Sequence, residues 1–223
     1  MDRTEVPVKV RDWIEELWAG EYMFQTAEMA QAGNPPTKPI DWLRARGLKN
    51  EYIEKYLFGL VTEGHFAGSI SIPILDGLGG YRTSRFRRLE GSPKYDHPKG
   101  ERPHLFNISS VRHPKVYLTE GEFDATILEQ TGRPAVGVPG VNSFREEWRW
   151  LFVGNDVRVI FDSEEPGTEA YKAVRTAMGR VVRQLEPLAS RVEVIDLPVG
   201  EDVSSLYVSD PDALEGILRS YDD

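Results

Sequence analysis

Val116-Tyr117-Leu118-Thr119-Glu120-Gly121-Glu122-Phe123-Asp124-Ala125 joins a short apolar run to a knot of acids across a glycine. The first four residues suit a strand, and residues 123–130 suit a helix, so the acids fall at a strand-to-helix handover. Glycine at 121 lets the backbone turn tightly there while a ligand approaches closely. Outward from this stretch the pattern recurs. Residues 157–161 run into Asp162-Ser163-Glu164, and residues 192–197 run into Gly200-Glu201-Asp202. A further strand at 135–138 and helices at 143–152, 168–188 and 211–221 complete an alternation that predicts a parallel sheet flanked by helices. In the long helix Ala170, Val174, Ala177, Met178, Val181 and Leu185 share one face.

Each acidic cluster alone has a plainer reading. Asp124 and its neighbours could simply complement a helix dipole, Asp162-Ser163-Glu164 occurs in ordinary loops and in phosphatases, and Gly200-Glu201-Asp202 could be only a turn. Three clusters at the same end of successive strands are a different matter. Carboxylates gathered at the C-terminal edge of a parallel sheet repel one another, and a divalent metal neutralises them. Asp162 and Glu164, one residue apart, can point into one crevice and share one or two ions.

The first half is organised differently. Residues 1–30 read as helix, with Trp13, Ile14, Leu17 and Trp18 on one face, and Gly33 to Pro39 breaks the pattern. Short helices are expected at 40–46 and 51–56. Residues 68–74, followed by Asp76-Gly77-Leu78-Gly79-Gly80-Tyr81, read as a β-hairpin with a glycine-rich turn. The tryptophans, including the Trp42-Leu43 pair, read as core. The fold class is therefore α/β: an N-terminal mixed α/β subdomain followed by a metal-binding one with a parallel sheet. The expected divisions are a helical extension and linker at 1–37, a basic subdomain at 38–115 and the acidic subdomain at 116–223.

Charge follows the same division. The net charge is −9, yet residues 82–115 carry nine Lys and Arg against three acids, while residues 116–223 carry ten against twenty-one. A segment suited to phosphates thus precedes one suited to cations. Arg82, Arg85, Arg87, Arg88, Lys94 and Lys99 interleave with Tyr81, Phe86, Tyr95 and Phe106, a mixture that suits single-stranded nucleic acid but also an ordinary solvated hairpin. The chain has no cysteine, so disulfides and thiolate zinc sites are excluded, and its four histidines form no ligand pattern. No secretory segment or 18-residue apolar run is present, so the expectation is a cytoplasmic protein without membrane contact.

Glu120-Gly121 with Asp124, Asp162-Ser163-Glu164 and Gly200-Glu201-Asp202, in this order, resemble the Toprim domain of bacterial-type primases, topoisomerases, recombination mediators and some nucleases. Trp42 to Leu48, Ile72-Pro73-Ile74-Leu75-Asp76, Arg85, Ser92-Pro93-Lys94-Tyr95 and His104-Leu105-Phe106-Asn107 resemble successive landmarks of the bacterial (DnaG-like) primase RNA polymerase domain. The resemblance spans residues 38–210. It departs from the family at Glu164, where an aspartate is usual, and the expectation is of a protein without the family's zinc-binding domain and helicase-binding region.

The resemblance implies a nucleotidyltransferase that makes short RNA primers on single-stranded DNA. Glu120, Asp124, Asp162 and Glu164 would be catalytic and, with Asp202, would hold Mg2+ or Mn2+, with no zinc. Arg82, Arg85, Arg87, Arg88, Lys94, Tyr95 and Asn107 would bind template or ribonucleoside triphosphate. A replicative helicase or a separate zinc-bearing subunit is an expected partner. Two other readings use the same residues: a Toprim nuclease, in which water attacks the phosphodiester, and a non-catalytic DNA-binding replisome adaptor.

Overall fold

The continuous apolar runs of the second half form a parallel sheet and the hairpin of the first half an antiparallel one in the computed structural model, which describes residues 6–140 and 142–222. Contacts divide the chain into a first unit, Met1–Arg102, and a second, Pro103–Asp223, where the sequence reading sets its boundaries at 37/38 and 115/116. Phe106 pairs with Gly137 beside the parallel sheet, which ties the segment just past residue 102 to the second unit. Phe24 pairs with Thr37 in the same manner within the first.

In the first unit, helix α1 (Val8–Ala19) buries Val10, Ile14 and Leu17. It is followed by the short α2 (Ala27–Gln31), α3 (Pro39–Ala45) and α4 (Asn50–Lys55). The single helix expected over residues 1–30 is therefore two: Gly20, in a left-handed conformation, caps α1, and residues 1–5 lie outside the described part. Strands β1 (Gly59–Val61), β2 (Ser69–Leu75), β3 (Tyr81–Arg88) and β4 (Tyr95–Asp96) pair antiparallel in that order. A Cβ on Gly59 would stand 2.7 Å from the Trp13 carbonyl carbon, so glycine is what lets α1 lie directly on β1. The turn between β2 and β3 is held by Asp76, whose Oδ1 accepts from the Leu78 and Gly80 amides.

In the second unit β5 (Lys115–Thr119), β6 (Ala135–Gly137), β7 (Asp156–Ile160) and β8 (Arg191–Val194) form an all-parallel sheet in the order β6-β5-β7-β8. Val116 to Thr119 and Val157 to Ile160 are buried throughout, as strands covered on both faces require. Helices α5 (Glu122–Gln130), α6 (Glu169–Leu185), α7 (Val203–Ser209) and α8 (Pro211–Arg219) cover it. The apolar face of α6 buries Val174, Ala177, Met178, Val181 and Leu185, as its periodicity requires. Thr168 caps α6 by accepting from the Tyr171 amide at 3.1 Å. Residues Glu146–Phe152 form a 3-10 rather than an α-helix. Trp148 is core, but Trp150 is 59% exposed, against the expectation that all the tryptophans are buried. No helix of the described residues is long and apolar enough to cross a membrane.

Candidate active site

The three acidic clusters occupy loops at the C-terminal edge of the parallel sheet, and specific hydrogen bonds join those loops. The Ser163 amide donates to the Glu201 carbonyl at 2.9 Å, and the Gly200 amide donates to the Ser163 carbonyl at 2.7 Å. Gly200, at φ +83°, makes the turn that brings this exchange about. The loop after β7 is thereby locked to the loop after β8. Asp124, in the first turn of α5, accepts on Oδ1 from both the amide (3.0 Å) and the hydroxyl (2.6 Å) of Ser204 in α7. The cluster after β5 is thus tied to the one that precedes α7.

Two glycines allow these approaches. A Cβ on Gly137 would stand 2.6 Å from the Gly121 carbonyl oxygen, and one on Gly121 would press to 3.0 Å against Asp124 Oδ2. Gly121 therefore serves close packing against β6 and the Asp124 carboxylate. Asp202 caps α7: its Oδ1 accepts from the Ser205 amide, while its own amide donates to the Ser205 hydroxyl.

Electrostatics report the gathering of charge most directly. The Asp162 carboxyl is pushed up to about 8, first by burial and then by the fields of Asp124, Glu120, Asp202 and Glu164. Residues from all three clusters therefore act on one group. Among the described residues no three His, Asp or Glu side chains are drawn together closely enough to grip an ion as they stand. The donor set is oxygen throughout, the type that hard cations such as Mg2+ and Mn2+ take, and a cation here would relieve the repulsion on Asp162. The five acids suit such an ion in donor chemistry and in field, but not in the spacing their side chains have as they stand.

The basic residues lie in the first unit, where β3 sorts them by face. Arg82 and Arg88 pair with acids: Arg82 lies 3.3 Å from Asp76, and Arg88 lies 2.8 Å from Asp96 and holds that carboxyl below its usual range. Arg85 and Arg87 point to the other side. Arg85 sits over the Tyr95 ring at 4.2 Å and Arg87 at 5.3 Å, while Arg87 (5.5 Å) and Arg46 (4.5 Å) both lie over Trp42. The result is a ladder of guanidinium and aromatic planes, Arg85-Tyr95-Arg87-Trp42-Arg46. Its lower end, with Lys94, lines a cleft of about 640 Å3.

Sequence reasoning missed Arg46 and gave Trp42 to the core. Their only signal was a spacing that sets Arg46 four residues after Trp42, one helical turn away. Asn107 lies in the second unit, where its amide donates to Ser110 Oγ, Glu129 Oε1 and the Ala135 carbonyl, each at 2.9 Å. These bonds brace β6 from the segment that precedes β5. Ser204 also escaped the sequence, since nothing local to Val203-Ser204-Ser205 points eighty residues back to Asp124.

The comparisons with known proteins follow this geometry. No protein-family model matches the chain. The Gene 57 protein of Mycobacterium phage D29 is 38% identical over 129 residues, which cover 56% of this chain and 78% of that protein. The E. coli primase catalytic core superposes with a TM-score of 0.69 at 19% identity, covering 97% of this chain and 79% of that one. A DnaG primase catalytic domain solved with single-stranded DNA gives 0.66 at 20% identity, covering 96% and 80%.

Proposed function

The chain belongs to the family of the mycobacteriophage D29 Gene 57 protein and has the fold of the DnaG-type primase catalytic core, and from this premise we propose that it is a primase-like nucleotidyltransferase making short RNA on single-stranded DNA. The observation that carries the reading is the joining of three acidic loops at one sheet edge, registered in the raised pKa of Asp162.

Glu120, Asp124, Asp162, Glu164 and Asp202 would hold Mg2+ or Mn2+, which when bound would acidify an attacking 3′-hydroxyl and neutralise triphosphate charge. The remaining roles belong to the chain itself. Ser204 holds the Asp124 carboxylate through two hydrogen bonds to Oδ1. Burial and the neighbouring carboxylates keep a proton on Asp162 at neutral pH in the free protein. In the first unit, Arg46, Arg85, Arg87 and Lys94 would neutralise phosphates, while Trp42 and Tyr95 offer faces on which bases stack without sequence preference.

The test is incubation with single-stranded DNA, labelled ribonucleotides and Mg2+ or Mn2+, beside the Asp162→Ala variant. Short RNA from the unmodified protein alone supports the reading. Degraded template would favour a nuclease, and equal product from both proteins would refute the site.

A further inference from the structure

Beside the acidic edge, between α6 and the ends of β7 and β8, lies a pocket of about 250 Å3. Its floor and sides are apolar, from Phe161, Val174, Met178, Ile195 and Leu197, and Tyr171 adds an aromatic ring. Its polar wall is Asp162-Ser163-Glu164, the loop that also carries two of the site's carboxylates. At the rim Arg175 pairs with Asp196 at 2.6 Å. Polar and apolar surface line the hollow in about equal measure, so it can take a small molecule that has both an apolar face and polar groups. The acids of the wall disfavour a bare phosphate, yet they accept hydrogen bonds from hydroxyls.

We propose that this pocket binds the nucleoside part of a nucleotide, with the base on the apolar floor against Tyr171 and the ribose hydroxyls toward the Asp162-Ser163-Glu164 wall. The pocket, of about 250 Å3, lies at the small end of the range of ligand sites, which suits a single small ligand. This inference rests on the nucleotidyltransferase reading for its biological sense, because it would hold a single nucleotide next to the acids by its base and sugar. The binding itself requires neither metal nor turnover.

Met178 supplies a probe. The full chain, labelled with 13C at its methionine methyls, is titrated without metal with adenosine, guanosine, cytidine and uridine, and then with the four ribonucleoside triphosphates and Mg2+. The Met178 methyl is expected to shift with at least one nucleoside, while Met23 of the first unit stays still. Tyr171→Ala should weaken that binding about tenfold and Tyr171→Phe should restore it, since the ring is what stacks. A Met178 methyl unmoved by every nucleoside and triphosphate, in a protein that still makes primers, overturns the pocket and leaves the function standing. A shifting Met178 in a protein that makes no RNA upholds the pocket as a nucleoside site and removes only the nucleotidyl transfer.

Discussion

Each unit has one place where charge of a single sign gathers, β3 in the first and the sheet edge in the second, and the two places treat it in opposite ways. On β3 of the first unit each arginine has local compensation, from Asp76 and Asp96 on one face and from the rings of Tyr95 and Trp42 on the other. At the sheet edge of the second unit, the fields of Asp124, Glu120, Asp202 and Glu164 all oppose ionisation of Asp162. A compensated face is ready to exchange one set of weak contacts for another, which suits a strand that must slide past. An edge whose carboxylates oppose ionisation of Asp162 stores repulsion that a cation would release, which suits a site where charge must be fixed in place.

The sharpest way to break this contrast is to discharge the acidic edge. Asp162→Asn should lower primer synthesis about a thousandfold or more, since a cation site contributes several kcal/mol to such chemistry. The same change should stabilise the metal-free fold. With its pKa raised to about 8, Asp162 keeps its proton in the folded state while the unfolded chain has released it above the ordinary value of 3.8. The folded state therefore binds more protons across that window, and stability falls as pH rises through it, by up to about 1.4 kcal/mol per pH unit. Melting curves in EDTA from pH 5 to 9 should show this slope in the unmodified protein and a flatter one in Asp162→Asn. Added Mg2+ should raise the melting temperature more at pH 8 than at pH 6. A variant no more stable than its parent at pH 8 would mean that the repulsion is already relieved.

A smaller effect is expected one shell out. Ser204→Ala removes the 2.6 Å hydroxyl bond to Asp124 but keeps the amide bond. Loss of such a supporting bond costs about 10- to 100-fold in metal affinity or rate. Measured Mn2+ affinity and primer yield should fall together, with the melting temperature little changed.

The parallel sheet and its acidic loops were legible in the sequence because their signals are local. Val157 to Phe161 is an apolar run, Asp162-Ser163-Glu164 follows it directly, and Thr168 is a capping residue ahead of a periodic helix. The links between loops were not legible. Ser204 meets Asp124, and Ser163 meets Gly200 and Glu201, only after the sheet has brought distant loops together. Arginine-rich β3 shows the same limit. Its charge was plain, but only the pairing of β3 with β4, Arg87 opposite Tyr95, separates the arginines that stack from those that form ion pairs. The bonds of Asn107 to Glu129 and Ala135 were hidden for a related reason: these acceptors lie on α5 and β6, well along the chain.

That separation gives the finest test of the contrast. Trp42→Ala, which removes the ring shared by Arg46 and Arg87, should weaken single-stranded DNA binding by about 1–3 kcal/mol. Arg87→Ala should weaken it less and reduce the slope of log affinity against log salt by about one, as expected when one phosphate contact is lost. Arg82→Ala should change binding by no more than about 0.5 kcal/mol, because Arg82 lies on the opposite face with Asp76 as its counterion. Fluorescence anisotropy with a labelled oligonucleotide at several salt concentrations reads all three. Equal losses from Arg82 and Arg87 would show that the face acts as an undifferentiated positive surface, and the ladder of rings and guanidiniums would then have no part in holding the strand.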